Sequence, residues 1–154
     1  MKELSHVDEN GAARMVDVSA KPKIKRTAKA KGKIFLQAET IKLINDGLVK
    51  KGDVLAVARV AGIMAGKKTS DLIPLCHNIE IDSVGIKFCI VADGIEIESM
   101  AVCTDKTGIE MEALTAVSVA ALTIYDMCKA ADKKMKIGEI VLVEKTKRGV
   151  AAET

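Results

Sequence analysis

Aromatic side chains are nearly missing from this chain, which has no Trp, one Tyr and two Phe in 154 residues. That scarcity excludes the stacking platforms that hold single-stranded nucleic acid. The net charge of +3, without a dense basic stripe, points the same way and suits anionic small molecules instead. Only two histidines are present, and Cys76, Cys89, Cys103 and Cys128 form no Cys-x-x-Cys pair, so the usual spacing of a structural zinc site is lacking. Reduced thiols in the cytoplasm are the economical reading. The amino terminus, MKELSHVDENG, has no apolar core region, and no run of about 18 residues is free of Ser, Thr or charge, so neither a secretory leader nor a membrane span is expected.

Hydrophobic residues nevertheless make up 49 % of the chain. The core must be assembled from Ala, Val, Ile, Leu and Met, each contributing modest buried area, so a homo-oligomeric interface would add much to stability. Length and the lack of a linker or repeat predict a single domain over 1–154, with residues 1–22 and 147–154 flexible.

Thr107 to Lys129, TGIEMEALTAVSVAALTIYDMCK, dominates the pattern. From Ala113 to Ile124 every residue is apolar or a small hydroxyl, so a helix here is greasy all round and requires more than one neighbour. At helical spacing Thr115, Val119, Leu122, Asp126 and Lys129 share a stripe, which predicts an acid and an ammonium at the end of a packed seam. Glu110 and Glu112 stand at the other end. The competing reading is an intrahelical ion pair worth about 0.2–0.5 kcal/mol, and spacing alone leaves the two balanced.

The other elements fall in order around this helix. Ile24 to Leu36 alternates with period two, as a half-exposed strand does, with Arg26 on its inner face; a strand-edge charge that snorkels outward is the simplest account of Arg26. Ala38 to Asp46 has helical spacing and stops at Gly47. Asp53 is placed to cap a second apolar helix ending near Ala65. Gly62 to Thr69 imitates a phosphate loop but fails it, since three residues rather than four separate its glycines and Lys68 occupies the hydroxyl position. Lys67 and Lys68 read as anion binders or as a basic helix cap. His77 follows an apolar loop containing Pro74, and adjacency to Cys76 makes no catalytic dyad because neighbours in extended chain point apart. Ile79–Val91 and Ile95–Thr104 form a hairpin about Asp93-Gly94, with Cys89 and Cys103 as small core residues. Ile137–Glu144 is the last strand, and the tail beyond Lys145 carries no pattern. The resulting order predicts an α+β fold, a ferredoxin-like antiparallel sheet with helices packed on one face.

Three runs carry a resemblance: MVDVS (15–19), KGDVLAVARVAGIMAGKKTSDLIPLCH (51–77) and TGIEMEALTAVSVAALTIYDMCKA (107–130). They closely resemble the molybdenum cofactor biosynthesis protein C, or cyclic pyranopterin monophosphate synthase, family, in order and over nearly the whole chain. The tail departs from it, for Lys145 is followed by TKRGV where the family has a Gly-rich segment. The resemblance implies conversion of 3′,8-cyclo-7,8-dihydroguanosine triphosphate to cyclic pyranopterin monophosphate with release of pyrophosphate. It implies Asp126 as the catalytic acid/base with Lys129 and Lys51 as partners, and Leu75, Cys76, His77, Met111, Glu112, Glu110, Lys67, Arg26 and Lys145 as substrate contacts. It also implies a cytoplasmic homohexamer, a trimer of dimers with sites between subunits, that binds neither nucleic acid nor membrane. No resident metal or cofactor is expected, Mg2+ entering only on the substrate phosphates.

Chemistry gives these residues matching tasks. Lys51, Lys67, Lys145 and Arg26 suit a triphosphate, and Glu110 and Glu112 suit the donor edge of a guanine-derived ring. An Asp and a Lys held together in a partly dry site are expected to be tuned toward neutrality for proton transfer. Two other readings stay open on sequence alone: a nucleotide-binding module without turnover, and a purely structural assembly protein.

Overall fold

The computed structural model describes residues 7, 8 and 10–149; the expected flexibility of residues 1–6, 9 and 150–154 falls outside that range. Alternation drives β1 (Ile24–Phe35), whose Ala28, Ala30 and Ile34 are fully buried while the intervening lysines line the opposite face. Helix α1 (Ala38–Asn45) is closed by Gly47, whose φ of 66° is readily adopted only without a β-carbon. No side chain of its own caps the start of α1. The distant Asp132 does so instead, accepting from the Gln37 amide at 2.9 Å and from the Thr40 hydroxyl at 3.2 Å.

Helix α2 (Val54–Gly66) begins at Asp53 as expected, the carboxylate accepting from the Ala56 amide at 3.0 Å. A single helical turn, α3 (Thr69–Leu72), and the loop through His77 lead to β2 (Ile81–Val91) and β3 (Gly94–Asp105). Their turn requires glycine at 94, since a β-carbon there would strike the Ile34 carbonyl. Helix α4 (Glu110–Cys128) then crosses the sheet, and β4 (Lys136–Arg148) ends the described chain. The strands lie in the order β2-β3-β1-β4 with every pair antiparallel. The chain therefore has the expected open, ferredoxin-like α+β sheet.

Helices α2 and α4 cover one face and run antiparallel, because the end of α2 meets the start of α4. A β-carbon on Gly66 would lie 3.4 Å from the Glu112 carbonyl oxygen; one on Gly62 would lie 2.7 Å from that of Ala116. Small residues thus let the helices approach within reach of backbone contact. The buried face of α4 is Ala113, Ala116, Val117, Ala120, Ala121, Ile124 and Met127.

The structure corrects the expected seam. Thr115, Val119, Leu122, Asp126 and Lys129 form the outward stripe of α4, and Leu122 is 57 % exposed. An all-apolar pattern does not tell which face is covered; the alanines that allow close approach decided it. Cys89 is likewise exposed rather than a core residue, since it lies on the open face of the sheet, while Cys103 is buried. Strand β4 runs through Thr146–Arg148, where the sequence shows no pattern, because both faces of this edge strand are largely solvated. By length and composition α4 could cross a membrane, but half of its most apolar stretch is buried inside the fold.

Among the described residues, large apolar side chains lie exposed on α2 (Val57, Val60 and Met64) and α4 (Leu122 and Tyr125), and along the Ile140–Val143 run on the edge of the sheet.

Candidate active site at the two ends of the long helix

The expected site residues gather into two groups separated by the length of α4. From Glu110 to Asp126 is 16 residues, about 24 Å at the usual helical rise.

At the C-terminal end, Lys51 reaches across from the loop before α2. Its ammonium donates to Oδ2 of Asp126 at 2.8 Å and to the Asp126 carbonyl at 2.9 Å. Lys129, one turn beyond Asp126, lies 2.7 Å from Oδ1. Each carboxylate oxygen therefore has its own ammonium. The bonds and charges of Lys129 and then Lys51 hold the Asp126 carboxyl down at about 2 and raise Lys129. The expectation of tuning toward neutrality is therefore corrected for the single chain: all three side chains are about half exposed, and without desolvation the pairing favours the charged forms.

At the N-terminal end the balance is reversed. A cleft of about 290 Å3 is walled by the loop residues Leu75, Cys76 and His77, by the first turn of α4 with Glu110, Met111 and Glu112, and by Val16 and Val18 of the N-terminal segment. Glu112 is only 4 % exposed, and its Oε2 is buried without a hydrogen-bond partner among the described residues. Burial pushes its carboxyl up, with a smaller push from the charge of Glu110. A buried carboxyl with an unused acceptor beside a cleft is poised for a donor supplied by a ligand. Burial also raises the Cys76 thiol, so it is no ready nucleophile.

Cations frame this end. Lys145 lies 3.3 Å from Oε1 of Glu110. Its register opposite Ala28 places it on the helix side of the sheet, next to Arg26. The Arg26 guanidinium does not snorkel away; Nε donates to the Asp105 carbonyl and Nη2 to the Lys106 carbonyl, both at 3.0 Å, fastening the loop that leads into α4. Lys67 caps the end of α2, exposed and without a side-chain partner among the described residues. Lys51 does not join these cations in the single chain. Among the described residues no group of three or more His, Cys, Asp or Glu side chains is arranged to hold a metal ion.

The MoaC family model matches residues 15–148, from the N-terminal segment beside the cleft to the end of β4. The chain belongs to the MoaC family. It is 62 % identical over 145 residues to the cyclic pyranopterin monophosphate synthase of Desulfitobacterium hafniense, covering 94 % of this chain and 89 % of that protein. It is 57 % identical over 148 residues to the synthase of Heliobacterium modesticaldum, covering 95 % and 93 %. With cyclic pyranopterin monophosphate synthase 1 of Mycobacterium tuberculosis the figure is 55 % over 144 residues, covering 93 % and 85 %.

Sequence reasoning missed Asp132, which is only 1 % exposed. It also missed Lys106, whose ammonium donates to the Ser19 carbonyl at 2.8 Å. No periodicity signals either one, since both act on chain distant in sequence. The quoted MVDVS run was the one hint that the N-terminal segment takes part.

Proposed function

We propose that this chain is a cyclic pyranopterin monophosphate synthase, converting 3′,8-cyclo-7,8-dihydroguanosine 5′-triphosphate to cyclic pyranopterin monophosphate and pyrophosphate in molybdenum cofactor biosynthesis. The observation that carries this reading is near-full-length identity of 62 % to a relative of that name. The test is direct: purified protein given the cyclised substrate releases pyrophosphate and forms a pterin that oxidises to a fluorescent product. Binding without turnover would instead favour the non-catalytic module.

In this reading Asp126, Lys129 and Lys51 move the protons of ring opening and closure. His77, Glu112 and the cleft around them hold the guanine-derived part, and Arg26, Lys67 and Lys145 neutralise phosphate charge. Attack of a ribose-derived oxygen on the α-phosphorus expels pyrophosphate, and Mg2+ travels with the substrate phosphates rather than in a protein cage.

One copy holds these parts too far apart to act on one nucleotide. Two copies packed through their open α2/α4 faces, with the α4 helices antiparallel about a two-fold axis, would bring the cleft of one beside the lysine–aspartate cluster of the other. The exposed Val57, Val60, Met64, Leu122 and Tyr125 make this face self-complementary in character. The apolar β4 edge offers a second, separate contact, and two kinds of interface are what a trimer of dimers requires. Free thiols at all four cysteines accord with a reducing cytoplasm.

Complementation tests the shared site. His77→Ala and Lys51→Ala proteins, each inactive, are mixed, unfolded and refolded together; random pairing restores about a quarter of wild-type activity if sites form between copies. A site within one chain gives none back, because every chain then carries a lesion.

A further inference from the structure

The N-terminal segment touches the cleft at one atom of chemical consequence. His77 Nε2 lies 2.6 Å from the carbonyl oxygen of Val16. A carbonyl can only accept, so the hydrogen is on Nε2, and in the neutral ring Nδ1 is then the bare acceptor. Nδ1 has no hydrogen-bond partner among the described residues, and the ring forms part of the cleft wall. The segment is itself tied down. Asp17 accepts from the Ser19 amide at 2.8 Å, closing a local turn, and the Lys106 ammonium donates to the Ser19 carbonyl at 2.8 Å. Lys106 in turn sits on the loop that Arg26 fastens through the carbonyls of residues 105 and 106. A connected set of contacts therefore runs from β1 through the loop before α4 to the histidine ring.

We propose that residues 15–19 are a strap that fixes His77 as its Nε2–H tautomer, and that Lys106 is the positioning residue anchoring the strap. Nδ1 is thereby presented as an acceptor for an O–H or N–H of the bound nucleotide-derived ring, beside the unused acceptor of Glu112. The strap and the tautomer stand on geometry alone; what Nδ1 does for turnover rests on the function proposed above.

The experiment uses the full chain with His6→Gln, which leaves His77 as the only histidine. A long-range proton–nitrogen correlation spectrum, recorded where the ring's own titration shows it neutral, reads the tautomer. Wild-type sequence at 106 gives the Nε2–H pattern, Lys106→Met gives a mixed or exchanging ring, and Lys106→Arg restores the single form. In turnover, Lys106→Met lowers kcat by roughly tenfold to a hundredfold, the scale of a misplaced reacting group, with KM little changed. An Nδ1–H ring in the parent protein overturns the strap, and that measurement stands even if Lys106→Met fails to fold. An unchanged tautomer in folded Lys106→Met overturns the anchor, and an altered tautomer with unchanged kcat overturns the catalytic part. Absence of synthase activity in the parent protein defeats the proposed function and leaves the tautomer to be decided on its own spectrum.

Discussion

The two ends of α4 meet opposite electrostatic conditions. At the C-terminal end Asp126 is exposed and saturated, with one ammonium on each oxygen, so its charge is held firmly and its carboxyl sits at about 2. At the N-terminal end Glu112 is buried and unsatisfied, and burial drives its carboxyl the other way. One end is complete and open, the other closed and lacking a partner. A ligand finds pre-set charges at the first and an unmet hydrogen bond at the second.

The contrast breaks most sharply at Asp126. Asp126→Asn removes the charge that organises both lysines, and pyrophosphate release falls by about a thousandfold, within the usual range for a proton-transfer group. The size-exclusion profile stays that of the parent. With its carboxyl at about 2, Asp126 is fully ionised from pH 4 upward. An acidic limb near neutrality in the rate profile would therefore have to come from a partner-induced change at this cluster or from another group.

Glu112→Gln sharpens the other side. Turnover falls by about a hundredfold because the amide is a poorer acceptor for the substrate's donor edge, while the unliganded protein melts higher. The sign follows from its raised carboxyl. Between the unfolded and folded titrations the native state binds more protons, so stability falls as pH rises through the folded value, and the penalty is full only above it. The melting gain of the variant should thus grow as pH rises and shrink in acid. A lower melting point at neutral pH would mean that Glu112 is satisfied after all.

Asp132 supplies the smaller, purely structural control. It is as buried as Glu112, and burial pushes its carboxyl up, but the amides of Gln37 and Lys134 and the Thr40 hydroxyl outweigh that and lower it. Asp132→Ala should cost about 1–3 kcal/mol by chemical unfolding through loss of the α1 cap. Its contribution is present above the unfolded carboxylate value and lost as pH falls through the folded one. The difference between parent and variant should therefore close in strong acid, and a difference that persists there would remove the carboxylate from the account.

Much of the fold was legible along the chain. Alternation from Ile24, the Gly47 stop, the Asp53 cap and the Asp93-Gly94 turn are local devices, and all appear where the pattern puts them. The face of α4 was not legible, because a helix apolar on every side carries no moment that distinguishes cover from solvent. Leu122 and Tyr125 thus lie outward on the single chain, and Gly62 opposite Ala116 sets the buried side. The candidate residues were legible as types at recurring spacings, but their grouping was not. Lys51 was read both as a partner of Asp126 and with the phosphate cations Lys67, Lys145 and Arg26; the antiparallel run of α2 against α4 sets it on Asp126, at the opposite end from the other three.

By itself the sequence determined which elements form, that their core is aliphatic, and which family they compose, because those follow from propensity, period and long matched strings. The tertiary structure alone decided that Asp132 caps a helix some 92 residues away, that Glu112 is buried without a partner, and that the strap's carbonyl meets His77. These outcomes depend on what lies beside a group in space, and solvation, pairing and proton position are properties of that surrounding rather than of the residue's neighbours in the chain.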